Sequence, residues 1–284
     1  MSLNTHIVSR VIAVGIFLNA GGCSNNFSSF SDKTSDESLY YEALYALDKA
    51  QYTIAINACT TMSATYLASV SKAAEVCSSA YAGRCGFSTA TMASNISAYV
   101  ASGPTQPLFL WFINKVSGTT AQNVSDCTTA ESILRGIGAA SSLTTDQNAY
   151  LAMLSIYTIA VVVNESADVT DDGAMDVGFD ACNVGGTLTN AYAQNVGLAF
   201  WDLNASLTQI STNPLFSALA TAIQSVCTNL QTTSGGNQDL CASLTPTALS
   251  AIHLKGARSL VKEGALVGVD QCGGGATFGA CDCP

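Results

Sequence analysis

"AYLAMLSIYTIAVVV", residues 149–163, carries no charged side chain, and only hydroxyls interrupt its apolar run. A surface helix keeps a polar stripe, whereas a helix apolar on every side is a buried central one. The run also falls short of the roughly 20 apolar residues that a bilayer span needs. It predicts a central helix over 145–164 with the rest of the chain packed around it.

Outward from that run, apolar spacing predicts further helices at 107–117, 129–140, 187–211, 214–230 and 246–265. Pro107 and Pro214 fall near helix starts, where a missing N–H is harmless. Nearer the N-terminus, Tyr40, Leu44 and Leu47 stand at i, i+4 and i+7, and Ile54 lies a heptad further on, striping one face. Strands have little support anywhere. The expected fold class is all-α, a helical hairpin array or bundle over 39–265. The end of the chain, "QCGGGATFGACDCP", changes character: Gly-rich and holding Cys272, Cys281 and Cys283, it predicts an irregular tail over 266–284 pinned by disulfides.

Charge narrows the partners. The chain holds 10 Lys+Arg against 20 Asp+Glu, and no Lys or Arg stands between Arg135 and Lys255. Nucleic acid is excluded as a partner class, because binding it needs clustered cations to neutralise phosphates. The middle segment repels anions and attracts cations. With 48% hydrophobic residues, the chain can bury a full core in one large domain or two small ones.

The first 22 residues have the layout of a signal peptide: Arg10, then the apolar Val11 to Leu18, then small residues. Ala20-Gly21-Gly22-Cys23 resembles the lipobox of bacterial lipoproteins. That resemblance implies a lipid on Cys23 as the mature N-terminus, a membrane held through this anchor, and, with Ser24 next, the outer membrane on its periplasmic or cell-surface side. Removing Cys23 leaves ten of 11 cysteines, an even number that can pair completely in an oxidising compartment. An ordinary secretory signal, with Cys23 left to a disulfide, is the alternative. Residues 23–38 read as a flexible Ser/Asn/Asp-rich tether. Cys227 and Cys241 are expected to pair across "TTSGGNQD". Cys77 and Cys85 would stand roughly 12 Å apart on one helix, so Cys59 is expected to pair with one of them.

"KAQYTIAINACTTM" (49–62) and "GRCGFSTATMASNI" (83–96) align with Tyr52 on Phe87 and Ala55 on Ala90, a period of 35 residues. Upstream helices over 39–48 and about 66–82 place Ala43 on Ser78 and Ala46 on Tyr81. The pair resembles degenerate tetratricopeptide hairpins, and "SSAYAGRCGF" resembles a phrase of helical Gram-negative lipoproteins. An ordinary bundle with a chance spacing is the competing reading.

The most pointed chemical feature is "NESADVTDDGAMDVGFDAC", 164–182. Asp168, Thr170, Asp172 and Asp176 stand at positions 1, 3, 5 and 9 of a calcium loop, with Gly173 at the turn, and Asp171, Asp180 and the Ala174 carbonyl could supply the remaining oxygens. Phe179 occupies the place of the bidentate Glu, so the expected site is structural and weak. A solvated loop capping the next helix is the competitor.

Nothing marks a catalyst. His253, in "AIHLKGAR", is the one histidine after residue 22 and has no carboxylate beside it in sequence; no nucleophile elbow, His-Glu-x-x-His or phosphate loop occurs. The expectation is a non-enzymatic, lipid-anchored scaffold that binds a protein of the bacterial envelope, with a helical small-ligand binder serving a transporter as the alternative. Cys23→Ser is expected to release the protein from membranes on fractionation; a variant still membrane-bound and normally cut contradicts the anchor.

Overall fold

The computed structural model describes residues 34–103, 106–172, 174–233, 240–241, 249–272 and 282–283. The signal segment 1–22, Cys23 and most of the tether lie outside them, as do Gly173, the 234–239 connection and Cys281. Among the described residues the regular structure is helical throughout, in eleven α-helices.

Helix α8, Thr145–Ala167, is the axis of the fold. Thr144 and Gln147 form a capping box at its start, and nearly every side chain from Leu151 to Val163 is buried. At 23 residues it is long and apolar enough to cross a membrane, yet 78% of its most apolar stretch is covered by the protein's own helices. Helix α9 (Asn190–Ile210) lies along it, and α7 (Ala121–Ile137), α6 (Leu108–Ile113) and α5 (Thr89–Ala101) cover other sides. Helices α10 (Ser217–Thr233) and α11 (Ala251–Lys262) pack on α9 from outside.

The N-terminal helices form a smaller core. Helix α1 (Asp36–Asp48) and α2 (Tyr52–Thr61) meet through Ala43, Ala46, Ala55 and Ala58, small enough for close approach. Beyond them the expected helix over 66–82 is two, α3 (Ala64–Ser69) and α4 (Ser71–Cys85). Ser63 fixes the first: its hydroxyl accepts from the Tyr66 N–H and its own N–H and O–H donate to Asp36. Helix α4 runs three residues past its expected end, and Ser88 then caps α5. The 35-residue register is therefore read differently in its two halves. Ala55 is buried against α1, whereas Ala90 is exposed; α4 packs chiefly on α7, and α5 on α8. Tyr52 lies across α4 at Gly83, where a Cβ would stand 2.2 Å from the ring.

Disulfides tie the layers. Cys59–Cys77 links α2 to α4, Cys85–Cys127 links α4 to α7, Cys182–Cys283 fastens the chain's end to the α8–α9 connection, and Cys227–Cys241 closes a short loop after α10. Cys272 is disulfide-bonded as well.

The segment expected to open an irregular tail is ordered. After α11 the buried Glu263 carboxylate accepts N–H bonds from Ala265, Leu266, Val267 and Gly268 at 2.8–3.1 Å. The turn so formed offers the carbonyls of Leu266, Val267 and Gly268 to the N–H groups of Leu108, Phe109 and Leu110, the otherwise unsatisfied donors of α6. Gly268 has no room for a side chain: a Cβ would stand 2.1 Å from the Glu263 carbonyl oxygen.

Glu263→Ala strips four amides of their acceptor, and each amide left buried without one costs about 1–3 kcal/mol. Denaturant titration is expected to show a loss of at least about 3 kcal/mol, with a melting temperature lower by roughly 6–12 °C. A loss under about 1 kcal/mol would show that the turn holds without its carboxylate.

Candidate functional site

A cleft of about 450 Å³ opens where the outer faces of α4 and α7 meet the first turns of α8. Ser71, Lys72, Glu75 and Ser79 line it from α4, Leu134 forms part of its floor, and Thr144, Asp146, Gln147 and Tyr150 close it. The volume lies within the range of small-molecule sites, about 300–1,000 Å³. Its polar groups are already oriented: Lys72 Nζ lies 2.8 Å from one Glu75 oxygen, and Gln147 Nε2 donates to the other at 2.6 Å. Gln147 also belongs to the α8 capping box, so the helix start fixes its position. Burial raises the Tyr150 phenol above its ordinary range, and the Ser79 and Ser78 hydroxyls nearby oppose that rise. Lys72 beside two acids and several neutral donors suits a small solute with both hydrogen-bond donors and acceptors.

The acidic loop between α8 and α9 turns its carboxylates largely on its own backbone. Asp168 accepts from the Asp172 N–H and from Asn164 Nδ2, and Asp172 accepts from the Ala174 N–H. Asp176 takes the Val169 N–H and the Thr170 hydroxyl, and Asp180 takes the Cys182 N–H. Asp171, a further candidate ligand, instead reaches across to accept from the Gly118 N–H at 2.8 Å. Asp168, Thr170 and Asp176 thus share one end of the loop while Asp180 sits in a separate turn. No group of three or more acidic, His or Cys side chains is placed to hold a metal ion among the described residues. The C-terminal region clamps this loop from beneath. Buried Arg258 donates to the carbonyls of Ala181 and Asn183 and to Asn190 Oδ1, Gln271 bonds Phe179 and Ala181, and Cys283 holds Cys182. His253 turns its Nδ1 to the Ser250 hydroxyl, 2.8 Å away at the α11 N-terminus.

A charged group that sequence reading passed over lies inside the bundle. Glu131 and Arg135, one turn apart on α7, meet Asp202 of α9 and the hydroxyl-bearing face of α8 at Ser155 and Thr158. Arg135 Nη1 donates to Asp202 Oδ2, and both carboxyl groups are almost wholly buried. Burial raises Glu131 from the ordinary 4.5 to about 8; Asp202 adds to that rise, and Arg135 and, less strongly, the nearby hydroxyls of Ser155 and Thr158 oppose it. Burial also raises Asp202, against the pull of Arg135. With the guanidinium in contact, Asp202 holds the negative charge of this trio and Glu131 the proton. The i, i+4 spacing of Glu131 and Arg135 was the available signal, and it reads equally as a surface pair.

Arg135→Met removes the cation from a buried carboxylate, a change that costs about 3–5 kcal/mol in such settings. Pairing it with Asp202→Leu is expected to recover most of that loss in denaturant titrations. A double variant as unstable as the sum of its singles contradicts the pairing.

No protein-family model, no curated protein and no solved structure matches this chain.

Proposed function

We propose that this chain is a lipid-anchored helical protein of the bacterial envelope that binds a small polar solute in the α4–α7–α8 cleft, as a binder and not a catalyst. The supporting observation is the cleft: a concave volume of about 450 Å³ with Lys72, Glu75, Asp146, Gln147 and Tyr150 on its walls. The anchor rests on Ala20-Gly21-Gly22-Cys23, which would hold the domain at the outer membrane, where a solute could be passed to a transporter. A second reading, a scaffold docking an envelope protein, is favoured by the exposed side chains of Tyr41, Tyr45 and Ile54 on α1 and α2, at 59%, 60% and 45% of full exposure. Aromatic residues of this kind are enriched at protein interfaces. Weak calcium binding by the acidic loop is a separate proposal, supported by residue spacing alone.

A thermal-shift screen of amino acids, sugars and polyamines is the direct test, because a ligand that binds only the folded state must raise the melting temperature. The expected outcome is a rise with at least one class, abolished by Ser79→Trp, which fills the cleft. Cross-linked envelope partners lost on Tyr41→Ala and Tyr45→Ala, with no solute effect, would support the scaffold instead.

A further inference from the structure

Two carboxyl groups and one guanidinium meet in the seam of α7, α8 and α9, and they do not balance. Arg135 is in contact with Asp202. Glu131 has no cation in contact: its Oε1 makes no hydrogen bond, and the hydroxyls of Ser155 and Thr158 on the facing helix, both buried, make none either. Ser206, one turn beyond Asp202, is a fourth buried oxygen without a partner. The neighbouring helices supply no further charge to the seam. The charged residues of α8 are Asp146 and Glu165, near its ends; α9 carries Asp202 alone; on α7, Asp126 is held in a two-point bond by Arg84 of α4, whose Lys72 and Glu75 pair with each other at the cleft. One uncompensated negative charge in this apolar interior has to be neutralised.

We infer that Glu131 is a proton-binding site that locks α7 onto α8: the neutral acid donates its O–H to the hydroxyl of Ser155 or Thr158, and losing that proton loosens the seam. The oxygens fit this assignment. A protonated carboxyl brings an O–H to this cluster, and the hydroxyl of Ser155 or Thr158, each without a hydrogen-bond partner of its own, is free to accept it. Desolvation, which raises Glu131 to about 8, acts in the same direction. Because the folded-state value lies above the ordinary 4.5, the contribution to stability is complete below 4.5 and is lost as pH rises through about 8. Asp202, also raised by burial and held back by Arg135, adds a slope of the same sign.

The test is denaturant titration of the disulfide-intact mature protein across the interval from 4.5 to about 8, for wild type, Glu131→Gln and the exposed control Glu37→Gln. One proton held only by the folded state changes the folding constant by up to tenfold per pH unit. Wild type and Glu37→Gln should show that decline, and Glu131→Gln, a permanent mimic of the neutral acid, should lose the share due to Glu131, show a clearly shallower slope and become the more stable protein at the alkaline end. An unchanged slope in Glu131→Gln overturns the inference. So does a slope that vanishes when sodium replaces choline as the buffer cation, which would place a bound monovalent cation in the seam. Should Glu131→Gln fail to fold, infrared spectroscopy of wild type decides: a protonated-carboxyl C=O band at neutral pH that disappears in alkali supports the site, and its absence at neutral pH refutes it.

Discussion

Helix α8 has almost no water to face, and the remaining helices are arranged by that fact. A helix buried on every side needs partners on every side, so α9, α7, α6 and α5 each take a sector, with α10 and α11 outside them. Burying apolar side chains such as these, at about 25 cal/mol per Å² of area removed from water, is the dominant favourable term in folding. The same burial sets the terms for anything polar that touches the helix. Ser155 and Thr158 are tolerable on α8 because they are small and neutral, but whatever faces them must be neutral or internally paired. That is why the charges of α7 and α9 close upon one another.

The periphery lacks such a core and is fastened by other means. Alanines let α1 and α2 approach closely but bury little area, and the Cys59–Cys77 and Cys85–Cys127 disulfides carry that hairpin through α4 to α7. A disulfide acts mainly by limiting the unfolded chain, which suits a small core built largely of alanines. At the other end, Glu263, Arg258, Gln271 and Cys283 bind α6 and the acidic loop to the C-terminal segment. These polar clamps leave the cleft of α4, α7 and α8 as a polar surface mounted on firmly held helices.

The central helix was legible because an uncharged apolar run too short to span a bilayer has one stable destination in a folded domain. Helix α7 was placed eight residues late, because its first turns, Ala121 to Thr128, are mostly polar and bury only Val124, Asp126 and Cys127; the Thr120–Asn123 capping box, not apolar spacing, sets its start. The Glu263 turn left no sequence pattern, since a carboxylate gathering backbone amides asks nothing of the side chains around it, apart from the absent one at Gly268. Cleft residues come from three helices, so only folding brings them together. Asp202 is likewise 67 residues from Arg135. In the acidic loop the spacing of Asp168, Asp172 and Asp176 was readable, but Asp side chains at turns bond nearby amides as readily as ions.

Native-state hydrogen exchange resolved by residue tests the central place of α8 most directly. Amides protected by the deepest core exchange through global unfolding, and those of loosely covered elements through local opening. The account predicts that the amides from Ile156 to Val163 exchange last, with an opening free energy equal to that from denaturant titration, while those of α1 and α3 exchange well before them. Amides of α8 that exchange through local opening as fast as those of α1 would contradict it, and the helix would be one layer among several.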